Sequence, residues 1–349
     1  MSKIIALIPA HNEEATLSAA VTGLREQTRT PDRIIVVADN CTDGTVALAH
    51  ALGVEVFESV NNTHKKAGAL NQVLASVLPE ASPDDVILVQ DADSALDLPF
   101  VENAFKRLSD TAYGAVGGVF RGDDRKGFVA HLQRNEYARY ARDVARLKGR
   151  CLVVTGTAAL FRVRTLILVS EGRLSGKLPA GDGKGGVYDT TVLTEDNEIS
   201  FAIMHLGFKI ISPRECTLVT ETMPTWKALW SQRLRWKRGA IENCVQYGLT
   251  RITWRYWGRQ VFTAVGVLVS LVYILTLVWA FATGNFSWQP FWVGVTIIFV
   301  MERIVTVRYR GWGQMLLSAT MYELVLDYFL QVVHARAYAD AITRRTRNW

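Results

Sequence analysis

The chain has 349 residues, 49% of them hydrophobic and 21% charged, with 39 Lys+Arg against 33 Asp+Glu. A mean hydropathy of +0.12 excludes a disordered tail, and the charge content excludes a protein lying wholly in a bilayer. The length fits two domains or one large α/β unit. Cys41, Cys151, Cys216 and Cys244 show no CxxC spacing, which argues against a zinc site or disulfide framework and for a reducing compartment. The first apolar run is too short, and too soon followed by His11, Glu13 and Glu14, to be a signal peptide.

The formal charge of +6 suggests a nucleic-acid binder until it is divided along the chain. Residues 226–349 carry fifteen Lys+Arg and five Asp+Glu, whereas residues 1–225 carry twenty-four and twenty-eight. All ten tryptophans follow residue 225. An acidic part and a basic, Trp-rich part point to two surroundings, and no nucleic-acid partner is expected.

Strand-like and helix-like runs alternate in the first part, the pattern of βα units on a mostly parallel sheet. Ile4-Ile5-Ala6-Leu7-Ile8 reads as a buried strand closed by Pro9. Ile34-Ile35-Val36-Val37, Val54-Glu55-Val56-Phe57 and Val86-Ile87-Leu88-Val89 read as the next three. Residues 13–27, 44–52 and 66–78 have helical spacing, with Thr42 or Asp43 as a cap for the second. A strand over 116–120, an Arg-rich helix near 127–148 and a strand pair around 152–162 follow. The glycine-rich stretch 172–186 reads as a mobile loop.

The second part changes character. Residues 261–282 are twenty-two in number and uncharged, enough to span a hydrocarbon core of about 30 Å. Residues 290–307 form a second candidate, with Glu302 and Arg303 near its end. Arg251, Arg255 and Arg259 precede the first span, and Arg308 and Arg310 follow the second. The positive-inside rule therefore makes the pair a hairpin with both flanks cytoplasmic. Met321, Leu324, Val325, Tyr328, Phe329 and Val332 form one stripe, with Glu323, Asp327 and Gln331 on another face. That is an amphipathic helix lying on the membrane or packed against the hairpin, with a third span over 316–333 as the alternative.

Ligands of open α/β sheets bind at the carboxyl ends of the strands. Polar groups follow three runs there: Pro9-Ala10-His11-Asn12-Glu13-Glu14, Asp39-Asn40-Cys41-Thr42-Asp43, and Asp91-Ala92-Asp93. Turn and cap chemistry explains any one of them; three on one edge suggest a site. Asp91-Ala92-Asp93 offers hard oxygens suited to Mg²⁺ or Mn²⁺. No GxGxxG follows a strand and no GxxxxGK[ST] occurs. Thr194-Glu195-Asp196 opens a helix, where capping is the simplest explanation. In Gln232-Arg233-Leu234-Arg235-Trp236, Arg235 suits a phosphate and Trp236 a sugar face, although Trp226, Trp230 and Arg233 also fall at the spacing of an interfacial membrane helix.

Taken in order, these segments resemble family 2 glycosyltransferases, specifically the membrane-bound branch of cellulose, hyaluronan and poly-N-acetylglucosamine synthases. The resemblance rests on Ile8-Pro9-Ala10-His11-Asn12-Glu13-Glu14, Asp39, Lys66-Ala67-Gly68-Ala69-Leu70-Asn71, Asp91-Ala92-Asp93, Thr194-Glu195-Asp196 and the QxxRW segment. It implies a GT-A catalytic domain over 1–225 and interfacial helices over 226–260. A transmembrane hairpin over 261–309 and an amphipathic or third membrane helix with a basic tail over 310–349 complete the division. The activity implied is inverting transfer from a nucleotide diphosphate sugar, a UDP-sugar, to a glycan, lipid or protein acceptor. Asn12, Glu13, Asp39, Lys66 and Asp91 are implied at the nucleotide, Asp93 at a Mg²⁺ or Mn²⁺ ion, Asp196 as general base and Glu195 as acceptor-orienting acid. Gln232, Arg235 and Trp236 are implied over the diphosphate and acceptor, and Gly156 in a strand flooring the acceptor site. Position 40 is Asn where some members carry a second acid, and His11 stands where an aromatic is common. The branch's polymer synthases carry spans ahead of the catalytic domain and this sequence has none there, which favours transfer of one or a few sugars. The alternatives are a processive polysaccharide synthase, a transferase to a polyprenyl-phosphate, and a non-catalytic membrane scaffold that binds nucleotide sugar.

Overall fold

In a computed structural model, which describes residues 2–285, 287 and 290–345, the apolar runs of the first part become a layered α/β sheet. Strand β1 (Ile4–Ala10) is followed by α1 (Leu17–Arg25), β2 (Arg33–Ala38), α2 (Thr45–Ala51), β3 (Glu55–Glu58), α3 (Lys65–Val77) and β4 (Val86–Gln90). Next come β5 (Ser94–Leu96), α4 (Phe100–Leu108), β6 (Tyr113–Gly117), β7 (Val119–Gly122), α5 (Phe128–Arg146), β8 (Ala158–Arg162) and α6 (Val163–Leu174). Helix α7 (Glu195–His205), β9 (Lys209–Ile211) and β10 (Thr217–Thr220) complete this half.

The main sheet has the order β3-β2-β1-β4-β8-β6-β9, and a second sheet has β5-β10-β7. Strands β1 to β4 run parallel, while β8 is antiparallel to both β4 and β6. Helices cover both faces, so both alternating sets of β1 are apolar. Ile5 and Leu7 join the core under α3, α6 and α7, and Ile4, Ala6 and Ile8 join the one under α1 and α4. The GT-A type of α/β architecture is thus present.

Several local expectations are corrected. Helix α1 starts at Leu17 because Glu13 to Thr16 form a turn onto the Glu13 carbonyl. The run 116–120 splits at Gly118, where a Cβ would come within 2.4 Å of Leu218. Of the stretch 152–162 only β8 is strand, so Gly156 lies in the turn before it and not in a strand. The segment 172–186 begins inside α6, so it is not loop throughout, and side chains of that helix hold its later part. Arg173 donates to the carbonyls of Pro179 (3.0 Å) and Val187 (3.2 Å), and Ser170 to that of Gly185. Arg173 also forms a buried ion pair with Glu198 at 2.5 Å, which accepts the Tyr247 hydroxyl as well.

The second part consists of α8 (Trp226–Tyr247), α9 (Trp254–Ala282), α10 (Pro290–Thr306), α11 (Trp312–Ala319) and α12 (Leu324–Ile342). Helix α9 is the one single helix among the described residues that is long and apolar enough to cross a bilayer; its mean hydropathy is 2.5 and its most apolar stretch buries nothing. Helices α11 and α12 reach that standard only as a pair, and they are bent by 62°. The stripe expected on one continuous helix is therefore corrected. Met321 takes φ 58° at the break. Leu326, Val333 and Ala337 are fully buried, whereas Leu324, Val325, Tyr328 and Val332 are exposed. Glu323 is buried and pairs with Arg139 and Arg303, and the half-buried Asp327 pairs with Arg303. Trp226 and Trp230 pack on Phe329 of α12, with ring centroids 4.8 and 5.8 Å away. Residues 346–349 of the basic tail, and Phe286, Trp288 and Gln289 of the turn after α9, lie outside the described residues.

Candidate active site

Sheet register gathers the site. Ala10 pairs with Ala38, so the segments after β1 and β2 leave the sheet side by side. Because β8 runs antiparallel to β4, with Gln90 opposite Ala158, its beginning lies at the carboxyl end of β4. Gly156 and Thr157 thereby meet Asp91, whose amide donates to the Thr157 carbonyl at 2.9 Å.

Asp39 is buried and its Oδ1 accepts from Ser59 (2.6 Å), Asn62 (2.8 Å) and Asn40 (3.0 Å). Its Oδ2 has no partner among the described residues. The His11 ring meets the Asp39 carbonyl at 2.6 Å. Asn12, at φ 60°, accepts from the Thr42 amide at 2.7 Å and so ties the two loops together. The Glu13 carboxylate accepts from Thr16 at 2.7 Å. Burial raises its pKa against that hydrogen bond, helped by Glu221, Asp91 and Asp43.

The KAGALN segment opens α3. Lys66 Nζ donates to Asp91 Oδ1 at 2.5 Å and to the Gly156 carbonyl at 2.9 Å, and lies 3.7 Å from Glu195. Burial works against its charge, but Asp91 and Glu195 outweigh it and hold the ammonium protonated. Asn71 grips the chain ahead of α7, accepting from the Tyr188 amide and donating to its carbonyl, both at 2.8 Å. Gly68 gives Asn62 its place: a Cβ there would lie 2.1 Å from Asn62 Oδ1. Gly68→Ala is therefore expected to displace the side chain that holds Asp39, costing about 1–3 kcal/mol of stability. Chemical denaturation measures that loss, and donor KM should rise with it; an unchanged KM would separate Asp39 from donor binding.

Asp93 has no cationic partner among the described residues; Ser94 donates to it at 3.1 Å. Burial, then Asp91, Glu13 and Glu221, push its pKa up to about 7. No group of three His, Cys, Asp or Glu side chains is assembled for a metal among the described residues. A half-buried oxygen donor crowded by carboxylates and lacking a cation nevertheless fits a divalent ion whose remaining ligands come from elsewhere.

Asp196 stands in the first turn of α7. Its Oδ2 accepts from the Gly156 amide at 3.1 Å and its Oδ1 from the Asn197 amide at 2.8 Å. A Cβ on Gly156 would lie 3.1 Å from that carboxylate, a tight contact that would press the Asp196 side chain aside by a few tenths of an ångström. Burial first, and then Glu195, raise the Asp196 pKa to about 6, against the lowering effect of Lys66 and Arg235. A small void is lined by Lys66, Gly156, Tyr188, Glu195 and Asp196.

Helix α8 closes the site from the other side. Its Gly239 leaves no space for a Cβ against Thr194, and Asn243 donates to the Thr194 carbonyl at 3.1 Å. Within QxxRW, Gln232 Oε1 is buried with no hydrogen-bond partner among the described residues. Arg235 has no carboxylate partner there, although its charge acts on Asp196. Trp236 remains 37% exposed, with the Arg233 guanidinium 4.3 Å from its ring centroid. Arg233 is buried against Glu136 at 2.7 Å and does not face a membrane surface. The structure thus brings Lys66, Asp91, Gly156, Glu195 and Asp196 together, with Asp93 and Glu13 beside them, while Asn12 and Asp39 sit in the neighbouring loops after β1 and β2. Asn62, Tyr188 and Glu221 belong to the same site and carry no sequence signal of their own.

Acidic groups from several strand ends thus meet at one edge of this α/β sheet. Residues 5–167 match the family model described as glycosyl transferase family 2, so the chain carries a domain of that family over this segment. Among curated proteins it is 26% identical over 249 residues to the poly-beta-1,6-N-acetyl-D-glucosamine synthase of Staphylococcus aureus (strain COL), covering 68% of this chain and 54% of that protein. It is 28% identical over 250 residues to the probable glycosyltransferase YdaM of Bacillus subtilis (strain 168), covering 68% and 55%. The chain spans about half the length of the curated relatives it matches. A solved mannosyltransferase, PcManGT from Pyrobaculum calidifontis in complex with GDP-Man and Mn²⁺, shares the fold with a TM-score of 0.62 at 17% identity, covering 99% of this chain and 88% of that one.

Proposed function

We propose that this chain is a membrane-anchored inverting glycosyltransferase that moves a sugar from a UDP-sugar to an acceptor hydroxyl, with Asp196 as general base. The observation that carries this reading is Asp196 itself: a carboxylate aimed by two amides, with a pKa of about 6, suited to taking a proton near neutral pH. Glu195 raises that basicity and orients the acceptor. Lys66 holds Glu195 and Asp91 at fixed separation. Asp39 Oδ2 is placed to accept from the nucleoside, with Asn12 and Glu13 shaping the pocket and Asp91 nearer the ribose. Gln232, Arg235 and Trp236 close over the diphosphate and the acceptor sugar, and Gly156 floors the acceptor side.

Asp93 would hold the divalent ion, Mg²⁺ or Mn²⁺, whose chemistry when bound is to neutralise the charge of the departing diphosphate. The Staphylococcus relative's name supports an N-acetylglucosamine-type donor. Purified protein with Mn²⁺ and a panel of UDP-GlcNAc, UDP-Glc and GDP-Man should release nucleoside diphosphate with a UDP-sugar. Release from no donor would favour the scaffold reading, and long products would favour a processive synthase.

Anchoring rests on exposed apolar surface. Phe262, Leu268, Leu275, Val278 and Trp279 of α9, and Phe291, Trp292, Ile298 and Phe299 of α10, are each more than half exposed. Surface of that kind is unfavourable in water and favourable in lipid. We assign α9 and α10 as a hairpin with the catalytic domain cytoplasmic, and α12 as a helix lying against α8. The chain is expected to stay with membranes through alkaline extraction; its appearance in the soluble fraction would contradict the hairpin.

A further inference from the structure

A second cavity lies where the catalytic half meets α10 and the segment after it. It measures about 940 Å³ and is lined by Arg121, Arg134, Arg142, Arg146, Arg308 and Arg310, with Asp123 and Asp124 as its acids. Two of the arginines are neutralised: Arg121 pairs with Asp97 at 2.7 Å and Arg142 with Glu302 at 2.5 Å. The other four meet no carboxylate among the described residues. Arg134 donates to the carbonyls of Asp123 and Arg125 (2.9 and 2.7 Å), and Arg310 to Asn135. Asp123 is taken up by the Thr222 amide and hydroxyl and lies 3.6 Å from Arg125. The lining therefore holds an excess of guanidinium groups around open space.

Guanidinium groups massed in this way are mutually repulsive unless an anion bridges them, and their planar forks match phosphate oxygens. The wall also includes Val305 and Tyr309, continuous with the exposed apolar face of α10. Tyr137 also lines it, and its ring lies 5.6 Å from the guanidinium of Arg233 in the QxxRW helix. The lining therefore combines an excess of guanidinium groups with Val305 and Tyr309 from α10 and the segment after it.

We propose that this cavity binds the phosphate of a lipid headgroup whose acyl or prenyl chain lies along α10. The inference rests on the membrane reading of α9 and α10, and on none of the transfer chemistry. Native mass spectrometry of the full chain in detergent, titrated with phosphatidic acid or phosphatidylcholine, tests it. Phosphatidic acid should bind about tenfold more tightly, because its monoester phosphate offers more charge to the forks. Arg146→Gln/Arg308→Gln removes two exposed arginines that make no ion pair among the described residues, and should reduce the preference to within about twofold. Arg251→Gln/Arg255→Gln removes the same charge from the other flank and should leave the preference intact. Equal binding of the two lipids, or a preference that survives the first double variant or falls equally in the second, would overturn the proposal. Displacement of phosphatidic acid by millimolar inorganic phosphate would show that the free anion suffices and would overturn its lipid half. A chain that stays soluble without detergent would remove the membrane premise separately, and donor turnover would be unaffected by either result.

Discussion

Asp196→Asn is expected to lower sugar transfer by about 10³-fold, the usual scale for loss of a general base. Both amides that aim Asp196 are backbone groups, from Gly156 and Asn197. An asparagine keeps the shape but offers a single acceptor oxygen, so one amide loses its partner at a cost of about 1–3 kcal/mol. Donor binding, which does not run through this side chain, should remain within a few fold. The wild-type pH profile of kcat/KM should rise to a plateau with a midpoint near the pKa of about 6, because only the ionised carboxylate accepts the proton. The residual activity of the variant should lack that rise. A variant within tenfold of wild type, or one with an unchanged profile, would remove Asp196 from the base role.

Asp93→Asn is expected to abolish the metal dependence of turnover, with a loss of more than about two orders of magnitude, while making the apo-protein more stable. The sign follows from burial. The Asp93 pKa rises from the ordinary 3.8 to about 7 in the folded chain, so folding favours the protonated acid. Its stabilising contribution is complete below about pH 4 and is lost as the pH rises towards 7. At pH 8, in the presence of a chelator, the folded state carries an ionised carboxylate crowded by Asp91, Glu13 and Glu221. The Asn variant relieves this by roughly 2–4 kcal/mol. At pH 4 the two proteins should melt together. A variant less stable than wild type at pH 8 would show that this carboxylate is compensated in the apo-protein and would weaken its assignment to a cation.

The sequence displayed the parts of the fold that repeat. Strands β1, β2 and β4 were legible because both of their faces are apolar, and α5 because its Arg-rich helical spacing is long. Strands β5, β9 and β10 were not: each has three or four residues and pairs with partners distant in the chain. Nothing local marked Gly156 as a turn, since its neighbours Val154, Thr155 and Thr157 favour strands. At the site, motif order put Lys66, Asp91, Glu195 and Asp196 on the page, and sheet register joins them. Glu221 reaches Asp93 only because β10 pairs with β5. The stripe in α12 was legible but its cover was not, because helical spacing identifies an apolar face without saying whether protein or lipid lies against it. The arginine partners of Glu323 and Asp327 were equally hidden, since they lie on α5 and α10.

The central claim, inverting transfer with a single base, is tested most directly by the anomeric configuration of the first product. With an α-linked UDP-sugar as donor, proton NMR of the purified product should show a β-linkage. An α-linked product would require a second displacement or front-side attack and would contradict the role assigned to Asp196.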